Sequence, residues 1–247
     1  SDSPYLAARV AEGTLAPVAI RLPKTPLVAI LDAPKVVPGR YGGQLRTLMG
    51  RAKDIRMMVV YGYARLIGYN RNFDLVPDIL ESYEVEEGRK FTFHLRDGHK
   101  WSDGYPFTTE DFRYYWEDFA NNKEMSPAGP PKVLLVEGKL PKFEVIDETT
   151  VRYTWDKPNP YFIPALAAAS PQYIYQPAHY LKQFHVRYAN PKVLEKLVTE
   201  KKQRNWVALH FYHGRQYKND NPKLPTLQPW FNTTRPPSDR FVFARNP

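Results

Sequence analysis

The run Phe91 to Asn121, FTFHLRDGHKWSDGYPFTTEDFRYYWEDFAN, decides the fold. Its first part alternates. Phe91, Phe93 and Leu95 face one way and Thr92, His94 and Arg96 the other, which is the period of a half-buried strand. Asp97-Gly98 turns the chain, and Ser102-Asp103-Gly104 turns it again. Trp101 lies between the two turns, a large ring with one N–H donor, suited to pinning a loop to a core. Thr108 then opens a helix. Its hydroxyl can cap the first turn while Asp111, three positions on, reaches back, a capping box with Asp for Glu. Phe112, Tyr115, Trp116 and Phe119 follow at i, i+3, i+4 and i+7, one helical face. A strand, a Trp loop and a capped aromatic helix form a rigid unit and carry no catalytic signature.

The flanks extend this pattern. Upstream, Leu75 to Glu84 reads as an extended segment, one turn and a strand feeding the hairpin. Asp54 is positioned to cap a helix running through Met57, Met58, Tyr61 and Arg65. Leu45 to Met49 reads as a short buried strand after a turn at Gly39 to Gly43. The first 40 residues read as a partly helical start around Pro4 to Glu12 and then an arm cut by Pro17, Pro23, Pro26, Pro34 and Pro38. Downstream, Ser126 to Pro131 is a stiff loop. Phe143 to Ile146 and Val151 to Trp155 are two strands around Asp147-Glu148-Thr149. A short helix is expected at Ile163 to Ala169, and another from Pro177 with Tyr180, Leu181, Phe184 and Tyr188 on one face. Asn190-Pro191 caps a basic helix carrying Val193, Leu194, Leu197 and Val198. Asn219 to Arg235 is rich in Pro and Asn and reads as irregular.

Composition bounds the function classes. The 247 residues are 43% apolar and 25% charged, a globular balance that excludes wholesale disorder. The 24 prolines predict long loops. No run approaches the roughly 18 apolar residues of a membrane span. Ser1-Asp2-Ser3-Pro4 has neither the basic start nor the apolar stretch of a signal peptide. The absence of cysteine removes disulfides, thiolate nucleophiles and Cys-based zinc sites. The net charge of +9 is spread along the chain, with Lys201-Lys202 and Arg204 the one tight cluster, and reads as a solvated surface.

The central run also resembles a known family. L-R-D-G-x-K-W-S-D-G-x-P-F-T-x-E-D-F, here Leu95 to Phe112, is close to the signature of the family 5 solute-binding proteins, the oligopeptide, dipeptide and nickel receptors of ABC importers. Leu75 to Glu84 resembles the family's L-V-P-x-L-A-E-S-W-E with Tyr83 for Trp, Lys157 to Phe162 its x-P-x-P-x-F, and Arg240 to Pro247 its R-x-V-x-E-R-N-P with Ala244 for Glu. Gly42-Gly43-Gln44-Leu45 matches the G-G-x-L that starts part of the cleft wall. The family's Y-E-G-L appears as Tyr63-Ala64-Arg65-Leu66, without the Glu-Gly pair.

The resemblance runs from about residue 42 to the end. It implies an α/β fold of the type II periplasmic-binding-protein kind: a mixed-sheet lobe with a small α+β domain inserted in it. Residues 1–58 and 171–247 would form lobe one and residues 59–170 the inserted domain, with the distal lobe absent from this stretch. It implies a periplasmic protein, monomeric, that captures a peptide-like or other small solute between two lobes and delivers it to the permease subunits of an ABC importer. No cofactor is implied. The candidate cleft contacts are Arg51, Ala52 and Lys53, Tyr61 and Tyr63, and Ser126, Pro127, Ala128 and Gly129. In several relatives the S-P-x loop meets the ligand with an aromatic residue, where this chain has Ala128.

Other chemistries were weighed on the residues. His210 and His213 are three apart and could share a helical face, the start of a metal-assisted hydrolase, but a third ligand must come from elsewhere and no H-E-x-x-H occurs. His179 and His185, six apart, are poorly spaced for a shared site. Asp97, Asp103, Glu110 and Asp111 could pair for acid and base work, yet turns and caps use the same positions. Aromatics among Lys and Arg could stack single-stranded nucleic acid, though here they fall at strand and helix periods that core burial explains.

Overall fold

The structure, a computed structural model, describes residues 3–28, 37 and 39–247. The chain starts with the expected helix, α1 (Pro4–Ala11), with Pro4 at its first position, and a single turn, α2 (Val18–Arg21). The arm beyond it leans on the Asp97-Gly98 turn. The backbone N–H of Lys24 donates to the Asp97 carbonyl at 2.8 Å, and the Arg96 guanidinium donates to the Thr25 carbonyl at 2.7 Å. The part of the arm at residues 29–36 and 38 lies outside the described residues. Leu45 to Met49 forms no strand: Leu45 is 92% and Leu48 99% exposed. A strand needs a ladder partner, and this stretch has none among the described residues.

A 3₁₀ turn at Ala52–Arg56 leads into α3 (Met57–Gly62). Asp54 sits within that turn and closes it from inside, its carboxylate accepting the Arg51 N–H at 3.1 Å, so it is not the helix cap expected of it. The helix stops at Gly62 because Tyr63 turns left-handed (φ 46°, ψ 36°), which leaves Arg65 outside it.

β1 (Ile67–Tyr69) and β2 (Leu75–Pro77) form a two-stranded ladder. β3 (Leu80–Glu86) and β4 (Lys90–Leu95) pair as the expected hairpin. β5 (Lys142–Val145) and β6 (Thr150–Thr154) complete an antiparallel sheet of order β3-β4-β6-β5. Period-two patterning sends Phe91, Phe93 and Leu95 to one face, all 3% exposed or less, opposite Val151 and Tyr153, which are fully buried.

Against that face pack α4 (Thr109–Arg113) and α5 (Phe162–Ala167). The cap of α4 is as read. Glu110 N–H donates to the Thr108 hydroxyl at 3.3 Å and Thr108 N–H to Asp111 Oδ2 at 3.2 Å. From Tyr114 to Ala120 the helix widens to a π-helix. Phe112 and Tyr115 stay in the sheet core, with Trp116 and Phe119 half-buried against it. The widened helix is also buried on its far side, where Tyr114 (0% exposed) and Asp118 (2%) enter other contacts that the one-face reading missed.

Tyr114 belongs to a second, smaller core beneath α6 (Ala178–Leu181), α7 (Pro191–Glu200) and α8 (Trp206–Gly214). Asn190 caps α7 by accepting from Lys192 and Val193 N–H, and Asn205 caps α8 by accepting from Ala208 N–H. The Pro177 helix is shorter than expected: a 3₁₀ turn ends it at Phe184, before Tyr188. Asn219 to Arg235 is largely irregular but contributes β7 (Trp230–Asn232), which pairs with β8 (Phe243–Arg245).

Asp111 joins the two cores. Oδ2 accepts the Trp101 indole N–H at 3.0 Å, and Oδ1 accepts the Ala178 N–H at 2.9 Å. One carboxylate thereby holds the Trp loop, the start of α4 and the start of α6.

Candidate functional site

Arg51, Ala52 and Lys53 are all exposed, at the head of the 3₁₀ turn that packs against Gln216–Lys218. Among the described residues neither Arg51 nor Lys53 is in an ion pair, and the Asp54 carboxylate beside them accepts the Arg51 N–H. Tyr61, on the last turn of α3, is 67% exposed and its hydroxyl has no partner among the described residues. Tyr63 differs from it. Its hydroxyl donates to the Ala167 carbonyl at 2.7 Å and accepts from Tyr69 N–H at 3.3 Å, and its ring lies 4.8 Å from the Arg65 guanidinium. Tyr61 is open to solvent, whereas Tyr63 is engaged in holding the chain.

Ser126 to Gly129 form a closed turn, Gly129 N–H donating to Ser126 O at 2.8 Å with Gly129 left-handed (φ 79°). The Ser126 hydroxyl donates back to Phe119 O at 3.0 Å. Pro127, Ala128 and Gly129 are exposed. This turn follows the α4 helix and lies on the α8 side: Phe119 meets Phe211 edge-on at 5.4 Å, and the Trp206 indole donates to Glu124 at 3.0 Å. Residues 51–63 are one continuous segment, the 3₁₀ turn Ala52–Arg56 running directly into Met57–Gly62. Among the described residues no hydrogen bond, ion pair or ring contact links that segment to residues 126–129.

Two residues beside Tyr61 had no local signal in the sequence. A Cβ on Gly62 would meet Pro229 Cγ at 3.2 Å and Gln228 Oε1 at 3.3 Å, so glycine lets these two segments of the chain approach this closely. Gln228 Nε2 donates to Ala64 O at 3.1 Å. Trp230, the residue after Pro229, is a further exposed aromatic, 45% open.

The histidine alternative does not assemble. His210 is 1% exposed, with Nε2 2.7 Å from the Tyr114 hydroxyl. His213 is stacked flat on Phe184 at 3.9 Å. Burial pushes His210 down to about 3 and His213 down to about 4. Among the described residues no group of three or more His, Cys, Asp or Glu could hold a metal ion. His185 is fixed as one tautomer. Its Nδ1 accepts Arg187 N–H at 3.1 Å, so Nε2 carries the proton toward Asp118 O, also at 3.1 Å. The carboxylates weighed for acid and base work are likewise committed: Asp97 to Lys24, Asp103 to His179 at 2.8 Å, and Glu110 to Arg113 and Lys182. Burial pushes Asp111 up to about 7, against the pull of its three N–H donors.

Comparison with known proteins agrees with the geometry. A model of the family described as bacterial extracellular solute-binding proteins, family 5 middle, matches residues 74–247. The periplasmic alpha-galactoside-binding protein of Rhizobium meliloti strain 1021 is 30% identical over 96% of this chain and 34% of its own length. A solved oligopeptide-binding protein OppA superposes with a TM-score of 0.85 at 33% identity, covering 100% of this chain and 37% of that one. The periplasmic binding protein MelB from Agrobacterium fabrum C58, solved in complex with stachyose, superposes at 0.64 with 26% identity over 100% of this chain and 37% of that one. The chain therefore spans about a third of the length of these proteins. The nucleic-acid and hydrolase readings find no support among them.

Proposed function

The chain belongs to family 5 of the bacterial extracellular solute-binding proteins, and from that premise we propose that it is part of the periplasmic receptor of an ABC importer. It captures a peptide-like or other small solute between lobes and hands it to the membrane permease as a monomer. The observation that carries this reading is the superposition on an oligopeptide-binding protein over the whole chain at a TM-score of 0.85. A binding protein needs a cleft and closure, not a catalytic group, and the committed carboxylates and buried histidines fit that economy.

Residues 1–58 and 171–247 belong to lobe one and residues 59–170 to the inserted domain. The solute meets this part of the protein at Arg51, Ala52, Lys53, Tyr61 and Tyr63 and at the Ser126–Gly129 turn. Arg51 and Lys53 favour an anionic group on it. Relatives include oligopeptide and alpha-galactoside binders, so both chemistries are tested. The full-length protein is titrated with trialanine and with stachyose while its melting temperature is followed. Binding of either raises the midpoint, a ligand at 100 times its Kd adding about 2.7 kcal/mol. No shift with either, and no small molecule retained in native mass spectrometry of protein from its source, would sink the reading. Charge reversal at Arg51 and Lys53 should weaken an anionic solute; unchanged affinity removes that refinement.

A further inference from the structure

Arg65 is a large charged side chain left 1% exposed, and among the described residues no carboxylate pairs with its guanidinium. Its donors go to backbone carbonyls. Nε donates to Ala168 O at 2.9 Å, Nη1 to Ala64 O at 2.9 Å, and Nη2 to Val59 O at 3.1 Å and Ala169 O at 2.8 Å. These acceptors belong to two chain segments about a hundred residues apart: the end of α3 and its exit, and the residues that follow α5. Val59 O already accepts the Tyr63 N–H, but helix C-termini carry partial negative charge, so one planar cation bridges both ends at once. Tyr63 completes the joint, its ring against the guanidinium and its hydroxyl on Ala167 O. The Arg65 backbone is tied as well, its N–H donating to Asp78 Oδ2 at 2.8 Å.

The exposed Tyr61 lies between the two points that this cation grips, Val59 O on one side and the Tyr63 ring on the other. Gly62 is pressed against Pro229, and Ala64 is held by Gln228. A tyrosine on the last turn of a six-residue helix would otherwise fray. We propose that Arg65 is the positioning residue of the candidate cleft, a buried clasp that holds the 59–65 segment so that Tyr61 is presented to the solute in one orientation. Arg65 does not touch the solute; it acts through the backbone. The proposal rests on the reading of Tyr61 as a solute contact. The sequence departs from its family at this point, with Arg65 where the Tyr-Glu-Gly-Leu motif has glycine.

The test uses the full-length protein in two arms. Amide hydrogen exchange needs no ligand. In Arg65→Met the amides of residues 60–63 should exchange about ten-fold faster than any change seen in the sheet amides of 91–95, because the loosening is local rather than global. Arg65→Lys keeps the charge, but a single ammonium cannot span both segments, so it should give a smaller acceleration in the same place. Equal acceleration in both regions, or none at 60–63 in either variant, overturns the clasp. The second arm measures affinity for trialanine and stachyose in a double-mutant cycle. Tyr61→Ala should weaken the bound probe about ten-fold, Arg65→Met about five-fold, and the double variant no more than Tyr61→Ala alone. Additive losses overturn the coupling between Arg65 and Tyr61. If Tyr61→Ala leaves affinity unchanged, the cleft reading of Tyr61 fails and the positioning role falls with it, while the exchange arm still decides whether the clasp exists.

Discussion

Phe91, Phe93, Tyr153, Trp155 and Phe162 pack ring against ring over the sheet, whereas the core beneath α8 is packed around His185, His210, His213 and Tyr114. In the first, Phe162 sits 4.9 Å from Trp155 and 5.3 Å from both Phe91 and Tyr153, and of these five rings only Trp155 and Tyr153 bring polar atoms. In the second, three imidazoles are buried and held neutral by desolvation, first in cause for each. Apolar burial is insensitive to pH, but a neutral buried imidazole is stable only while the solvent does not offer a proton strongly enough. Two cores of one chain should therefore fail under different stresses.

The comparison can be broken in several ways, the largest first. Phe162→Ala should cost about 3–5 kcal/mol, read as a lowered urea midpoint, because it opens the centre of the aromatic cluster. A loss under 1 kcal/mol would mean that the ring cluster is not the stability centre. Asp111→Ala strips the acceptor from three N–H groups and should cost at least about 3 kcal/mol, each orphaned buried donor contributing about 1–3 kcal/mol. It should also loosen both cores together, since the carboxylate joins them.

The pH response follows from the shifts. His210 falls to about 3 and His213 to about 4 on folding, so below their ordinary value of 6.5 the unfolded chain binds more protons. Their stability contribution is complete above pH 6.5 and is lost as pH falls toward 4, by up to about 1.4 kcal/mol per pH unit for each. Asp111 acts oppositely: its raised value means that stability is lost as pH rises from 3.8 toward 7. Histidines outnumber it, so urea midpoints should drop between pH 6.5 and 4, and His210→Gln should flatten the slope by about one proton. A flat profile would dissolve the contrast between the cores. Thr108→Ala should cost about 1 kcal/mol through the lost cap. Leu48→Ser, at a side chain 99% exposed, should move the midpoint of this 247-residue chain by less than about 0.5 kcal/mol.

Much of this was legible beforehand. The inward face at Phe91 to Leu95 and Val151 to Trp155, the Thr108 and Asn190 caps and the buried Trp101 are local statements, fixed by residues a few positions apart, and each holds in the structure, although the opposite face of the first of these strands is not open, since Thr92 and Arg96 are buried too. Leu45 to Met49 failed because a strand is a property of two segments, and the sequence of one does not supply its partner. Residues 51–63, of which Arg51, Ala52, Lys53 and Tyr61 are exposed, were readable as a candidate segment near a family motif. Its supports, Gly62 against Pro229 and Gln228 against Ala64, were not, because no period links residues more than 160 apart.

By itself the sequence determined the central hairpin, the Thr108 and Asn190 caps, the absence of thiol chemistry and the family. Tertiary structure alone decided which tyrosine is free and which is bound, that His210 and His213 are buried packing groups rather than a ligand pair, and that Arg65 is a clasp. The reason is the same in each case. Periodicity and capping are set by covalent neighbours, whereas the state of a titratable or hydrogen-bonding group is set by what distant segments bring beside it and by how much water they exclude.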